Sequence, residues 1–326
     1  MIHIFIYWRL FMKLKKRSIK ILAVALMFFC AFSANINADQ DTAKKAEENK
    51  QKVVEKSVNA YADGAVTNSP RKESYINGIV YQFSAEVKGL QKQAYDLAKF
   101  RLDEALQKKY SKPLAIVSDI DATLMDDATY MADIVQRKED WDNGPWDYYY
   151  ESVGSTACKP IPGALEFCKY ASSKGVELFY ITNRDYDKLD LTVEQLKRAG
   201  FPNADAKHVQ VMNKEGSSNK TERRENVLKT HEVLLYLGDN IGDFTADFKR
   251  ELGPIERTKL ATDEKYYDNW GTKWIVLPNA TYGDYVGAAW YNDKKLDANG
   301  RAKKIKDLLD YYKFTSKDYE IWYKGK

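Results

Sequence analysis

Two aspartates, Asp119 and Asp121 in SDIDAT, follow the apolar run Leu114-Ala115-Ile116-Val117. Residues two apart on an extended segment point the same way, so both carboxylates are expected on one side, with Ile120 turned toward the core. Like charges that near each other need a shared proton or a cation. A second acidic segment, GDNIGD, follows VLLYL and offers Asp239 and Asp243. Four carboxylates with no soft ligand beside them suit a hard cation such as Mg²⁺. Taken singly, each segment reads equally well as a polar turn. Together they favour a metal centre.

Thr182-Asn183-Arg184 follows another apolar run, VELFYI. A hydroxyl, an amide and a guanidinium at one strand exit suit an anion. Lys220 lies in SSNKTE, where Asn219 and Glu222 have capping-box spacing. That spacing predicts Lys220 in the first turn of a helix, where free amides and the helix dipole already favour an anion. In isolation Lys220 reads instead as part of a solvated run with Arg223 and Arg224. Trp141, Trp146, Tyr148, Tyr149 and Tyr150 crowd the segment between the first two strand exits. They fit either a cap whose aromatics stack on a flat organic group or the packing of that cap on itself. His208 and His231 stand beside expected strands with no companion and are read as structural. No GxSxG, phosphate loop or dinucleotide fingerprint is present.

The elements that must position these residues follow from hydrophobic period. Helices are expected over Ser84–Lys108 (apolar face Val87, Leu90, Ala94, Leu97, Ala98, Leu102, Leu106), Pro160–Lys174, Asp187–Ala199, Asn219–Lys229 and Ala302–Tyr312. Strands are expected over Leu114–Val117, Val176–Ile181, Val209–Met212, Val233–Leu237 and Trp274–Leu277. Alternation of this kind predicts an α/β fold, a mainly parallel sheet with helices on both faces, whose site lies at the carboxyl ends of the strands.

The chain has 326 residues and a formal charge of +4, but six of its 51 basic residues (Arg9, Lys13, Lys15, Lys16, Arg17, Lys20) fall within the first 38, which hold no acid. The remainder has 45 basic against 47 acidic residues, which offers no global attraction for a nucleic-acid polymer or an anionic membrane. The six charges precede the apolar core Ile21–Phe32, the pattern of a secretory signal ending after Ala38 or, alternatively, Ser33. Met12 opens a more conventional leader than Met1. Export to the periplasm, the cell surface or the medium is expected. Phe28 and Phe29 before Cys30 argue against lipid attachment there. Residues 39–75 read as a polar helical or disordered spacer, and 76–326 as the functional domain with a cap inserted over about 127–160. Cys158 and Cys168 remain downstream of the leader, and their spacing leaves a bridge open.

Beyond the individual residues, YQFSAEVKGLQKQAYDLAKFRLDEAL, DIDATLMDDATY, PGALEF, FYITNR, NKTERR, YLGDNIGDF and PNATYGDY, in this order and spacing, make the chain resemble the class C bacterial acid phosphatases. That group includes outer-membrane lipoprotein 5′-nucleotidases and falls within the haloacid-dehalogenase-like (HAD) superfamily. The resemblance runs from about Tyr81 to Gly287. It implies that Asp119 is the nucleophile and Asp121 the acid and base. It implies Mg²⁺ held by Asp119, the Asp121 carbonyl and Asp239 with Asp243 in support, and phosphoryl oxygens bound by Thr182, Asn183 and Lys220. Tyr130 aligns with a motif tyrosine and, with Trp146 and Arg184, is a candidate for contact with a small phosphomonoester substrate. Ala122 and Asp127 depart from the family's Glu and Asn. Oligomeric state is not legible. A non-catalytic exported protein binding haem or a nucleotide on the same fold is the competing expectation, though it has no need of a nucleophile and an acid.

Overall fold

The computed structural model describes residues 77–137, 146, 149 and 158–312, all within the compact unit Thr67–Lys326. The expected leader and spacer, and Trp141, Tyr148 and Tyr150 of the cap, lie outside the described residues. Five parallel strands form one sheet: β1 (Leu114–Ser118), β2 (Glu177–Ile181), β3 (Val209–Gln210), β4 (Glu232–Gly238) and β5 (Trp274–Val276), in the spatial order β3-β2-β1-β4-β5. β1 lies at the centre and is buried from Ala115 onward. A strand covered on both faces has no use for alternating polarity, which is why LAIV reads as a continuous apolar run.

Alternate residues feed two cores. Ile116, Leu178, Tyr180 and Leu235 join the larger one, and Ala115, Val117, Phe179 and Ile181 pack with Val227 and Val233 on the opposite face. The larger core includes residues of α1 (Ala85–Ala105) and α3 (Ala164–Ser173); Val227 comes from α5 (Thr221–Thr230). Further helices are α2 (Ala128–Arg137), α4 (Leu189–Ala199), α6 (Gly253–Ala261), α7 (Glu264–Tyr267), α8 (Asp284–Ala288) and α9 (Ala298–Tyr312).

The expected elements recur with shifted ends. α1 starts where predicted, its cap Ser84 accepting from the Val87 amide at 3.2 Å. Its buried face is Val87, Gln91, Tyr95, Ala98 and Leu102, however, while Leu90 and Leu97 are exposed. The reason is Tyr95, whose hydroxyl donates to the Thr123 carbonyl at 2.6 Å and turns the helix toward the loop after β1. α3 begins four residues later than expected, because Gly163 at φ +88° turns the chain immediately before it. α5 begins at Thr221, with Lys220 just ahead of its first turn, and the expected Asn219/Glu222 box is absent: Asn219 accepts from the Thr221 amide at 2.9 Å instead. A capping box does form at Asn240 and Asp243, in the loop after β4. Cys158 and Cys168 are both buried and no disulfide joins them.

At the opposite end of β2 from Thr182, Glu177 collects three basic groups. Lys207 Nζ and His208 Nε2 lie 2.8 Å from its Oε2, and His231 Nε2 lies 3.4 Å from Oε1. The Phe179 ring packs against both imidazoles, in keeping with structural histidines. Hydrogen bonds from Lys207 first, and then His208 and His231, hold the Glu177 carboxyl at about 2, below its ordinary 4.5. A depressed carboxylate stabilises the fold above its unfolded value and loses that contribution as pH falls through the folded one. Glu177→Gln should therefore lower the melting temperature at about pH 6 by several degrees, equivalent to about 1–2 kcal/mol for charge-assisted bonds at a partly exposed site. The gap between variant and wild type, followed by thermal denaturation, should close between pH 4.5 and about 2.

Candidate active site

In this strand order β1 and β4 are neighbours whose crossovers leave in opposite directions, which opens a crevice at their carboxyl ends. Ser118 pairs with Leu237, and the Asp119 amide donates to the Leu237 carbonyl at 3.0 Å. That register sets Asp119, at the exit of β1, beside Asp239, at the exit of β4. Asp243 joins them from the capped turn. Its Oδ2 accepts from the Asn240 amide at 3.0 Å, and a Cβ at Gly238 would stand 2.4 Å from the Asp243 side chain, so the close approach requires glycine there.

Asp119, Asp239 and Asp243 each present an oxygen, all within 4.8 Å of one another. Lys220, 4 % exposed, reaches this cluster from the start of α5. Its ammonium donates to Asp119 Oδ1 and, at 2.7 Å, to Asp243 Oδ1. Burial pushes the Asp119 carboxyl up to about 7, against the pull of Lys220 and with the help of Asp243 and Asp121. Burial and the charges of Asp119 and Asp243 likewise hold Asp239 well above the ordinary carboxylate range. One ammonium does not balance three carboxylates, and a divalent cation would. An all-oxygen donor set of this size fits a hard ion. Thr123 Oγ1 and Asn279 Nδ2 orient Asp239 by donating to its two oxygens at 3.0 and 2.8 Å.

Asp121 stands in the tight loop that closes β1. Ile120 is fully buried, as expected, and its carbonyl accepts from the Leu124 and Met125 amides at 2.8 and 2.9 Å. Ala122 takes the left-handed conformation, φ +57°, which costs a residue with a Cβ about 1 kcal/mol. Asp121 thereby faces β2 rather than Lys220. Arg184 Nε donates to its Oδ2 at 3.1 Å and Nη2 to its Oδ1 at 2.7 Å, while Thr182 Oγ1 donates to Oδ2 at 3.2 Å.

Sequence reasoning missed several contributors. Arg223 and Arg224, the flank of an apparently solvated run, are turned toward the site, Arg223 half-buried and Arg224 buried. Arg223 donates to the Thr182 carbonyl at 2.5 Å and to Asn183 Oδ1 at 2.7 Å. Arg224 is buried and donates to the Gly242 and Asp243 carbonyls at 2.7 and 3.2 Å, bracing the loop that carries Asp243. Thr123 and Asn279 lie within motifs but had no assigned role. Asn279 could be matched to Asp239 only once β5 was known to flank β4, and Thr123 only once β1 was known to flank it on the other side. Asp127 is buried and accepts from the Tyr282 hydroxyl; burial first, then the Asp121 charge, raises its carboxyl well above the usual range. Tyr130 has no exposed surface. It packs edge-on against Trp146, ring centroids 4.7 Å apart, and against Tyr149 at 5.3 Å. These aromatics form a cluster behind the loop rather than an open wall.

A parallel α/β sheet with acidic exits at its central crevice, a buried lysine between two of the carboxylates and a Thr182-Asn183-Arg184 loop at the exit of the next strand has the make-up of a phosphoryl-transfer site. Residues 36–285 match the family described as HAD superfamily, subfamily IIIB (Acid phosphatase). The class C acid phosphatase from Bacillus anthracis is similar in structure, with a TM-score of 0.66 and 32 % identity over 76 % of this chain and 98 % of that one. The structure of the Bacillus anthracis class C enzyme with tungstate bound gives 0.65 and 34 % over the same shares. The chain belongs to this acid phosphatase family, and is a phosphomonoesterase acting on small phosphate esters. Among the described residues no helix is long and apolar enough to cross a membrane.

Proposed function

We propose that the protein is an exported, Mg²⁺-dependent acid phosphatase that hydrolyses phosphomonoesters, nucleoside 5′-monophosphates among them, through an aspartyl-phosphate. The observation that carries this reading is Lys220 lodged between Asp119 and Asp243 at the β1/β4 crevice. It gives an anionic nucleophile a fixed cation beside the place where an incoming phosphoryl group must sit.

In the first step the Asp119 carboxylate attacks phosphorus, the bond to the ester oxygen breaks, and Asp121 delivers its proton to that oxygen. In the second, Asp121 takes a proton from water, the hydroxide attacks the phosphorus of the acyl phosphate, and Asp119 is released with inorganic phosphate. Lys220, Thr182 and the Asn183 amide hold the phosphoryl oxygens. Arg223 takes the Asn183 Oδ1, which turns the amide's own donors outward. Asp119, Asp239, Asp243 and the Asp121 carbonyl would hold Mg²⁺, which when bound neutralises charge between the nucleophile and the phosphate. Tungstate bound by the Bacillus anthracis relative is in keeping with a site for a tetrahedral oxyanion. The sequence pattern of residues 1–38 supports export, and the polar, charge-rich make-up of residues 39–75, with few large apolar residues, supports a spacer ahead of the catalytic domain.

The test is turnover of p-nitrophenyl phosphate and of a panel of nucleoside monophosphates and sugar phosphates, with Mg²⁺ and after EDTA treatment. Hydrolysis that EDTA removes and Mg²⁺ restores is the expected result. Absence of turnover from mildly acidic to neutral pH with metal supplied would sink the reading.

A further inference from the structure

We infer that Arg184 is the positioning residue of Asp121: it fixes the carboxyl that protonates the leaving group and does not bind the substrate. This rests on the reaction proposed above. Arg184 is buried, 6 % exposed, and follows directly on Thr182 and Asn183. A guanidinium at that place in the sequence looks like a phosphate ligand. The structure turns it the other way. Nε and Nη2 fork onto the two oxygens of Asp121, and Nη1 donates to Gln195 Oε1 at 2.7 Å and Thr192 Oγ1 at 3.3 Å on α4.

Planar fork-to-fork pairing fixes both the distance and the plane of a carboxyl group, which a point-charge ammonium cannot do. Thr192 is itself tied to the Lys188 carbonyl at 2.8 Å, so the plane of Asp121 is set by the first turn of α4 through a chain of buried polar contacts. Ala122 at φ +57° and the turn from Ile120 to Met125 carry Asp121 beyond the end of β1, where a single bridge to Met125 holds its backbone and leaves its side chain to be aligned by Arg184. The two oxygens are not equivalent. Oδ2 also accepts from Thr182, the residue assigned to the phosphoryl group, and so lies on the substrate side. The proton therefore leaves from the Oδ2 side: the O–H bond breaks as the ester oxygen gains the proton and the P–O bond opens, while Nε and Nη2 keep both carboxyl oxygens in their plane.

A residue that positions the general acid matters in proportion to how badly the leaving group needs a proton. Nitrophenolate leaves without one, whereas an alkoxide does not. The experiment is kcat/KM for p-nitrophenyl phosphate, phenyl phosphate and glycerol phosphate, measured on the wild type, Arg184→Ala and Arg184→Lys, with melting temperatures alongside. Arg184→Ala is expected to stay within about tenfold of wild type on p-nitrophenyl phosphate and to fall by about 10²–10³ on glycerol phosphate, the range that a general acid supplies. Arg184→Lys should fail to restore the alkyl ester, and added guanidinium should restore it in Arg184→Ala. Equal losses on all three esters would overturn the inference, since lost phosphate binding or a loosened fold is blind to the leaving group. If Arg184→Ala does not fold, Gln195→Met decides. It keeps the fork but releases Nη1, so glycerol phosphate should lose several-fold more than p-nitrophenyl phosphate, and a uniform loss again overturns the role. A wild type that hydrolyses none of the esters brings down the reaction, and the role of Arg184 with it.

Discussion

Asp119→Asn is expected to abolish turnover, lowering kcat by at least about 10⁴-fold, as loss of a covalent nucleophile does elsewhere. The amide is nearly the same size as the carboxylate and cannot form the acyl phosphate. It keeps one carbonyl oxygen for the Lys220 ammonium, and Lys220 retains Asp243 at 2.7 Å, so the fold should persist. Acid quenching during turnover of a labelled phosphomonoester separates lost chemistry from lost folding. The wild type should carry covalently bound label, and the folded variant none. Residual activity within about 10²-fold of wild type would show that Asp119 is not the attacking group.

The second large effect is at Lys220. Its ammonium is raised in pKa because Asp119 and Asp243 more than offset the burial that pulls it down. Lys220→Met removes this cation and leaves Asp119, Asp239 and Asp243 facing one another. Breaking a buried ion pair from one side costs roughly 3–5 kcal/mol, so the variant should melt well below the wild type in EDTA. A divalent ion at the carboxylates replaces part of the lost charge, and saturating Mg²⁺ should recover most of the melting temperature. Activity should not follow, because the donor to the phosphoryl oxygens is gone, and kcat/KM should remain down by about 10²–10³. Parallel recovery of stability and turnover would place Lys220 in a purely structural role.

These two residues also show where sequence reading reached and where it stopped. Asp119 was legible from a window of about ten residues, because a buried apolar strand and an abrupt acidic exit are both local signals. Lys220 was not. On local evidence it belonged to a solvated run with Arg223 and Arg224, and only the resemblance of NKTERR to a family motif lifted it out. The structure buries both Lys220 and Arg224, and the contact to Asp119 spans 101 residues of chain. The same limit explains α1. Its helical period was plain, but the leucines at 90 and 97 looked as good a face as the one that Tyr95 selects by reaching the Thr123 carbonyl.

By itself the sequence determined the alternation of strands and helices, the polar character of each strand exit and the chemical types at the site, because propensity, period and turn chemistry act over a few residues. Tertiary structure alone decided which exits meet. The order β3-β2-β1-β4-β5 brings Asp119 to Asp239 and Lys220 to both Asp119 and Asp243, and it sends Arg184 to Asp121 instead of outward to the substrate. That order depends on closing loops of many tens of residues around a shared core. Such a free energy belongs to the whole chain, and no short window carries it.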